Sequence, residues 1–203
     1  MEILVKKEAA TDERFGVRPD KRPVETLIHY GVVNLDKPSG PTSHQVSDYV
    51  QKILGIEKAG HSGTLDPRVT GVLPVALDRA TRLAQLMLTG GKQYTGILCL
   101  HDDVELEKLK KGIAKFVGKI MQMPPVRSAV KRQLRERSIY SFEILEIDGR
   151  NVLFSVDCEA GTYIRKLCHD LGLVLGVGGH MADLRRTRVC HFNETDLVSL
   201  QDL

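Results

Sequence analysis

The sequence predicts an α+β domain built on a mixed, mostly antiparallel sheet that is flanked by helices. Stretches with the apolar spacing of amphipathic helices alternate along the chain with short apolar runs typical of strands. Residues 139–147 and 152–156 alternate apolar and polar side chains on either side of Asp148-Gly149, a pair typical of a hairpin turn. Because strands joined by a hairpin run antiparallel, this mixture of elements favours the α+β class.

The first half of the chain is predicted to contain an N-terminal arm followed by two strands and two helices. A charged stretch with two prolines predicts an extended N-terminal arm at 1–30, ahead of a domain over 31–203. The elements that follow are a strand, a helix capped by Thr42 or Ser43, a structured loop rich in glycine, a second strand and an amphipathic helix. In chain order we expect them at 31–35, 42–54, 55–71, 72–77 and 79–88.

The second half predicts a strand, a helix, a basic segment that begins after Pro124-Pro125, the hairpin, a further helix, a glycine loop and a final strand. These elements are expected at 94–100, 104–117, 126–137, 139–147 with 152–156, 162–175, 176–179 and 181–189.

Composition limits the classes of partner. The net charge of +3 is modest, but basic residues cluster at 119–137 and at Arg185, Arg186 and Arg188. Such clusters indicate either surfaces that contact phosphates or plain solvated faces. The four cysteines lack C-x-x-C spacing, so we expect reduced thiols in an intracellular protein and no metal site. No signal peptide or membrane span is predicted.

One loop has the residues for chemistry. GHSGTLDP at residues 60–67 places Asp66 between two glycines and Pro67, which together can hold one carboxylate rigidly towards a cleft. An Asp-Pro pair in a loop is also common in ordinary turns, so this pattern alone does not decide between the two readings.

The wider pattern resembles the TruB/dyskerin family of RNA pseudouridine synthases. Three blocks match in order, namely NLDKPSGPTS at 34–43, the loop at 60–67, and EAGTYIR at 159–165 with LRR at 184–186. VKRQLR at 130–135 and LGVGG at 175–179 are more similar to the archaeal and eukaryotic branch, the catalytic subunits of box H/ACA guide-RNA particles. The family normally continues into a C-terminal RNA-binding PUA domain, which we do not expect in residues 1–203.

The resemblance implies a reaction and its residues. Uridine would be isomerised to pseudouridine in RNA without any cofactor or metal, with Asp66 as the nucleophile. Arg165 matches the position that pairs with this aspartate, in a site expected to exclude water. Tyr94 matches the active-site tyrosine that stacks on the uracil.

Further residues are expected to bind substrate. Leu184 matches an apolar residue near the base, and His61 matches the histidine that fills the space left by the flipped nucleotide. Lys37 would support the catalytic loop or meet a phosphate. Lys92 and Arg132 are assigned to the same set, Arg132 because segment 126–137 corresponds to the mobile thumb of the family.

Two other functions stay open, an inactive RNA-binding scaffold of a ribonucleoprotein and a glycoside or nucleoside hydrolase. The hydrolase normally requires two carboxylates, and the Asp66 loop offers one. Resemblance further implies guide RNA, Nop10-like and Gar1-like proteins and an RNA-kink-binding ribosomal-type protein as partners. The T-loop of transfer RNA is the other candidate substrate. The expected location is cytoplasmic for an archaeal protein and nucleolar for a eukaryotic one.

Overall fold

The structure, a computed structural model, describes residues 12, 14–18, 21–124 and 132–203. Among these residues nine strands and five α-helices are found. The strands are β1 (Val32–Lys37), β2 (Ala59–His61), β3 (Thr70–Leu77), β4 (Lys92–Leu100), β5 (Gly118–Gln122), β6 (Arg135–Asp148), β7 (Asn151–Cys158), β8 (Gly179–Val189) and β9 (Phe192–Asn193). The helices are α1 (Val24–Tyr30), α2 (Ser43–Leu54), α3 (Ala84–Thr89), α4 (Leu106–Ala114) and α5 (Ile164–Leu175).

All nine strands join one sheet, in the order β1-β3-β8-β4-β7-β6-β5, with β2 on β3 and β9 on β8. The β3–β8 pair is parallel, and every other pair is antiparallel. The predicted fold class is therefore confirmed, and so is the hairpin formed by β6 and β7. The single parallel pair joins the two halves of the sheet.

The main core lies between the sheet and α5. Along β4 the residues alternate between buried and half-buried from Lys92 to Leu100, as expected for a strand with one covered face. The covered face packs against Leu167, Cys168 and Leu171 of α5, which have no exposed surface. Burying each of these leucines stabilises the fold by about 1.5–3 kcal/mol. The N-terminal end of α5 is thereby held at one end of β4 and β8.

Several predicted boundaries were wrong. The N-terminal arm is not extended throughout, because α1 forms within it, although none of its residues is fully buried. The predicted helix at 79–88 is a 3-10 helix at Asp78–Leu83 followed by α3, and the helix at 104–117 shortens to α4. The loop at 55–71 contains the short strand β2, and β5, which is mostly exposed, was not predicted.

The basic segment at 126–137 is only partly described. Residues 125–131 lie outside the described part of the chain, and the segment ends inside β6. No helix among the described residues is long and apolar enough to cross a membrane.

Gly172 in α5 allows the close approach of this helix to the start of β8. A Cβ at Gly172 would lie 2.3 Å from the backbone nitrogen of Gly179. Alanine normally stabilises a helix relative to glycine by up to about 1 kcal/mol. Here we expect Gly172→Ala to lower the free energy of unfolding by at least about 2 kcal/mol, because backbone must move. Urea denaturation measures this, with Val174→Ala on the exposed side of α5 as a control near zero; a stabilised Gly172→Ala would contradict the expectation.

Candidate active site

The Asp66 loop opens onto a pocket of about 430 Å³. The walls come from five places in the sequence, namely the loop itself, α3, β4, β8 and the segment that leads into and begins α5. Asp66, Tyr94, Arg165 and Leu184, which the sequence placed in one site, all line this pocket. Asp66 is the only acidic side chain among the described residues that do so.

Asp66 pairs with Arg165 across the pocket. Nη2 of Arg165 donates a hydrogen bond of 2.6 Å to Oδ2 of Asp66, so the predicted partnership is present in the geometry. The side chains of Asp66 and Arg165 are 50% and 49% exposed. The expectation of a site that excludes water is therefore wrong for this structure, because both charged groups still reach solvent.

Lys37 supports the Asp66 loop by hydrogen bonds to its backbone. Its side chain has no exposed surface, and Nζ donates to the backbone oxygens of Pro38, Pro67 and Val69 at 2.9, 3.0 and 2.9 Å. Burial lowers the pKa of this ammonium. Of the two predicted roles, the geometry favours support of the loop, and Lys37 is not among the residues that line the pocket.

Ser43 adds a second brace from the same block of sequence. Its Oγ accepts a hydrogen bond of 2.8 Å from the backbone N–H of Leu65, next to Asp66. Side chains of the segment 34–43 thus hold the backbone of the Asp66 loop on both sides of Asp66, at Leu65 and at Pro67.

Tyr94 and Leu184 belong to the apolar lining of the pocket. Tyr94 lies on β4 opposite Arg186, and Leu184 lies on β8 opposite Gly96. Tyr94 and Leu184 are only 8% and 7% exposed, so the roles of pocket wall and core residue overlap. Burial raises the pKa of the Tyr94 phenol, and the guanidinium of Arg186 partly opposes this shift.

Lys92 lines the pocket but is largely enclosed. Its Nζ donates to the backbone oxygens of Met87, Leu88 and Gly90 at 3.2, 3.1 and 2.7 Å, at the C-terminal end of α3. Burial first, and then the charge of Arg186, lowers the pKa of Lys92 to about 8. This ammonium therefore holds α3 in place at the rim of the site.

The arginine cluster at 185–188 is neither of the two surfaces that the sequence left open, because its members find partners within the protein. Arg185 forms hydrogen bonds of 3.0 Å to both carboxylate oxygens of Asp36, and Arg188 pairs with Asp157 at 2.6 Å. Arg186 is 1% exposed and lines the pocket. The signal for its burial was present in the sequence, since Leu184 and Arg186 lie on one face of a strand.

His61 and Arg132 lie outside the pocket lining. His61 is at the end of β2, where its Nδ1 accepts a hydrogen bond of 3.3 Å from Gly63 N and its ring centroid lies 4.7 Å from that of His44. Arg132 is exposed beside the undescribed residues 125–131. Their predicted contacts with RNA remain predictions.

Family models cover almost all of the chain. The TruB family pseudouridylate synthase (N terminal domain) matches residues 51–105 and 99–164, and the tRNA pseudouridylate synthase B C-terminal domain matches 165–203. The DKCLD (NUC011) domain matches 1–47. The chain therefore belongs to the TruB family of pseudouridylate synthases, as the three sequence blocks predicted.

Curated relatives agree with this assignment. Proteins named "Probable tRNA pseudouridine synthase B" from Methanopyrus kandleri and Pyrococcus abyssi are 56% and 58% identical to the whole of this chain. The match spans 60% and 61% of the length of these relatives.

Solved structures agree as well. A Cbf5-Nop10-Gar1 complex contains a chain with a TM-score of 0.92 at 56% identity, matched over 97% of this chain and 60% of that one. An H/ACA RNP bound to a substrate RNA containing 2'-deoxyuridine contains a chain with a TM-score of 0.90 at 52% identity, matched over 100% and 61%.

The environment of His61 makes stability depend on pH. Burial, followed by the charges of His44 and Arg186, lowers the pKa of His61 from 6.5 to about 4. Below pH 6.5 the unfolded chain therefore binds a proton that the folded chain excludes. We expect the free energy of unfolding to fall by about 1–3 kcal/mol between pH 6.5 and 4 through this residue.

Urea denaturation at a series of pH values checks this expectation. His61→Asn, whose side-chain oxygen can still accept from Gly63, should reduce the slope in this window. His169→Asn, on the exposed side of α5, is the control and should leave the slope unchanged. Equal slopes in the wild type and His61→Asn would show that His61 titrates normally.

Proposed function

We propose that this chain is the catalytic part of an enzyme that isomerises uridine to pseudouridine in RNA. The bond between N1 of uracil and the ribose breaks, the base turns, and C5 forms the new bond to the same sugar carbon. A proton leaves C5 and N1 gains one, so no atom is added or lost. The Asp66 carboxylate is the nucleophile in this proposal.

The observation that supports the proposal most is the single carboxylate of the pocket. Asp66 is the only acid among the described lining residues, and its oxygen lies 2.6 Å from the Arg165 guanidinium. A glycoside hydrolase normally needs a second carboxylate to activate water or protonate the leaving group. An isomerase that returns the base to the same sugar has no such requirement.

The other pocket residues suit a flipped uridine. Arg165 donates a hydrogen bond to the carboxylate of Asp66 and so fixes the direction of its oxygens. The Tyr94 ring and the Leu184 side chain offer apolar surface to one base. A pocket of about 430 Å³ is in the range of small-molecule sites, so the target nucleotide would leave its stack to enter.

We further propose that the target uridine is selected by a guide RNA. This proposal is supported by the similarity to chains solved in a Cbf5-Nop10-Gar1 complex and in an H/ACA RNP bound to substrate RNA. Nop10-like and Gar1-like proteins and an RNA-kink-binding protein are the partners that it implies. The names of the curated relatives favour transfer RNA instead, so the T-loop uridine is the second candidate substrate.

Tritium release from RNA labelled at C5 of uridine tests the reaction. We expect Asp66→Asn, which keeps the shape and removes the nucleophile, to slow release by at least about 1,000-fold. Asp48→Asn, an exposed carboxylate of α2, is the matched control and should retain the wild-type rate. Wild-type turnover by Asp66→Asn would exclude Asp66 as the nucleophile.

The same assay distinguishes the candidate substrates and the scaffold alternative. Transfer RNA alone is compared with target RNA supplied with its guide RNA and partner proteins. Release only in the second arm supports guided selection, and release from transfer RNA alone supports the other substrate. RNA binding without release in either arm would overturn the enzyme proposal in favour of an inactive scaffold.

A further inference from the structure

Arg186 connects three separate parts of the active site. Its Nε donates to the backbone oxygen of Val72 in β3 at 2.8 Å, and Nη2 donates to that of Gly63 at 3.2 Å, three residues before Asp66. Its cross-strand partner is Tyr94 of β4. One side chain on β8 therefore joins β3 to the Asp66 loop, directly opposite the active-site tyrosine.

The burial of Arg186 without an acidic partner in the described part of the chain is unusual, because removing a charge from water costs free energy. Arg186 is 1% exposed, and among the described residues no carboxylate forms an ion pair with it. Its neighbours on the strand, Arg185 and Arg188, each pair with an acid. A buried charge satisfied only by neutral oxygens stabilises a fold less than apolar packing of the same volume would. Packing alone therefore does not account for an arginine here.

Tyr94 lies directly opposite Arg186 on the neighbouring strand, and both residues line the pocket. Because Nη2 of Arg186 holds the carbonyl of Gly63, one guanidinium fixes the Asp66 loop beside Tyr94. The positive charge of Arg186 also opposes the rise in the Tyr94 pKa that burial causes.

We propose that Arg186 is a positioning residue for the isomerisation: its buried guanidinium holds the Asp66 loop in register with Tyr94. This inference rests on the proposed function, since it concerns how Asp66 and Tyr94 are aligned for that reaction. Arg186 does not contact RNA phosphate in this role. Lysine is a poor substitute, because a single ammonium lacks the planar fork that reaches the carbonyl oxygens of both Val72 and Gly63.

The test compares Arg186→Gln and Arg186→Lys with Arg188→Gln, which removes an arginine of the same strand that pairs with Asp157. Single-turnover rate and RNA dissociation constant are measured separately. We expect Arg186→Gln to slow turnover by about 10- to 100-fold, the effect of one charged hydrogen bond. RNA affinity and its salt dependence should not change, and Arg186→Lys should restore part of the rate. Arg188→Gln should match the wild type.

A second measurement needs no RNA. The absorbance of the Tyr94 phenolate is obtained by subtracting the alkaline titration of a Tyr94→Phe counterpart from that of each Arg186 variant. Loss of the cation should move this titration to higher pH in Arg186→Gln, and less in Arg186→Lys. If Arg186→Gln does not fold, Arg186→Lys supplies both measurements.

The outcomes separate the inference from the function on which it rests. Weaker RNA binding with unchanged turnover would overturn the positioning role in favour of a phosphate contact. Unchanged turnover and an unchanged Tyr94 titration would overturn it outright. If wild-type protein forms no pseudouridine, the proposed function fails, and the Tyr94 titration still decides whether Arg186 controls the phenol.

Discussion

The parallel pairing of β3 with β8 is the constraint on which the rest of the site depends. Thr70 and Gly71 pair with Arg185 and Arg186, and this short contact joins the two halves of the sheet. It brings the Asp66 loop, which ends where β3 begins, beside β4 and α5. Gly71 has a φ of +101°, and a Cβ there would lie 2.2 Å from the Arg186 backbone oxygen. Only glycine permits this approach, so the pairing and the site share one requirement.

Buried cations then hold the loops that the sheet brings together. Lys37, Lys92 and Arg186 are each at most 5% exposed, and each directs its charge at backbone oxygens. A flexible loop would have to lose conformational freedom when substrate binds. Here that ordering is already achieved in folding, because the carbonyls of Gly63, Pro67 and Val69 have fixed donors.

The sequence predicted the structure well where the chemistry requires particular residue types. It predicted less where contacts between distant parts of the chain determine which residues are buried. The hairpin followed from strict alternation, and Tyr94, Arg165 and Leu184 line one pocket with Asp66, whereas Lys37, His61 and Arg132 lie outside its lining. The burial of Arg186 was not predicted because charge alone suggests exposure, whereas its partners come from β3 and the Asp66 loop, remote in sequence. The strand β5 has one buried residue, so hydrophobic alternation could not reveal it. The helix α1 has no buried residue, although Val24, Leu27 and Ile28 have helical spacing.

The exposure of the Asp66–Arg165 pair has a physical consequence for how the site would work. Both side chains are about half exposed, so water screens their attraction and the pair contributes at most about 1 kcal/mol to folding. The same attraction strengthens several-fold when solvent is displaced, because the effective dielectric constant falls. An RNA that covers the pocket would therefore strengthen the pair at the moment when the direction of the carboxylate matters. A pair that was already dry in the free protein would have no such gain left for substrate binding to produce.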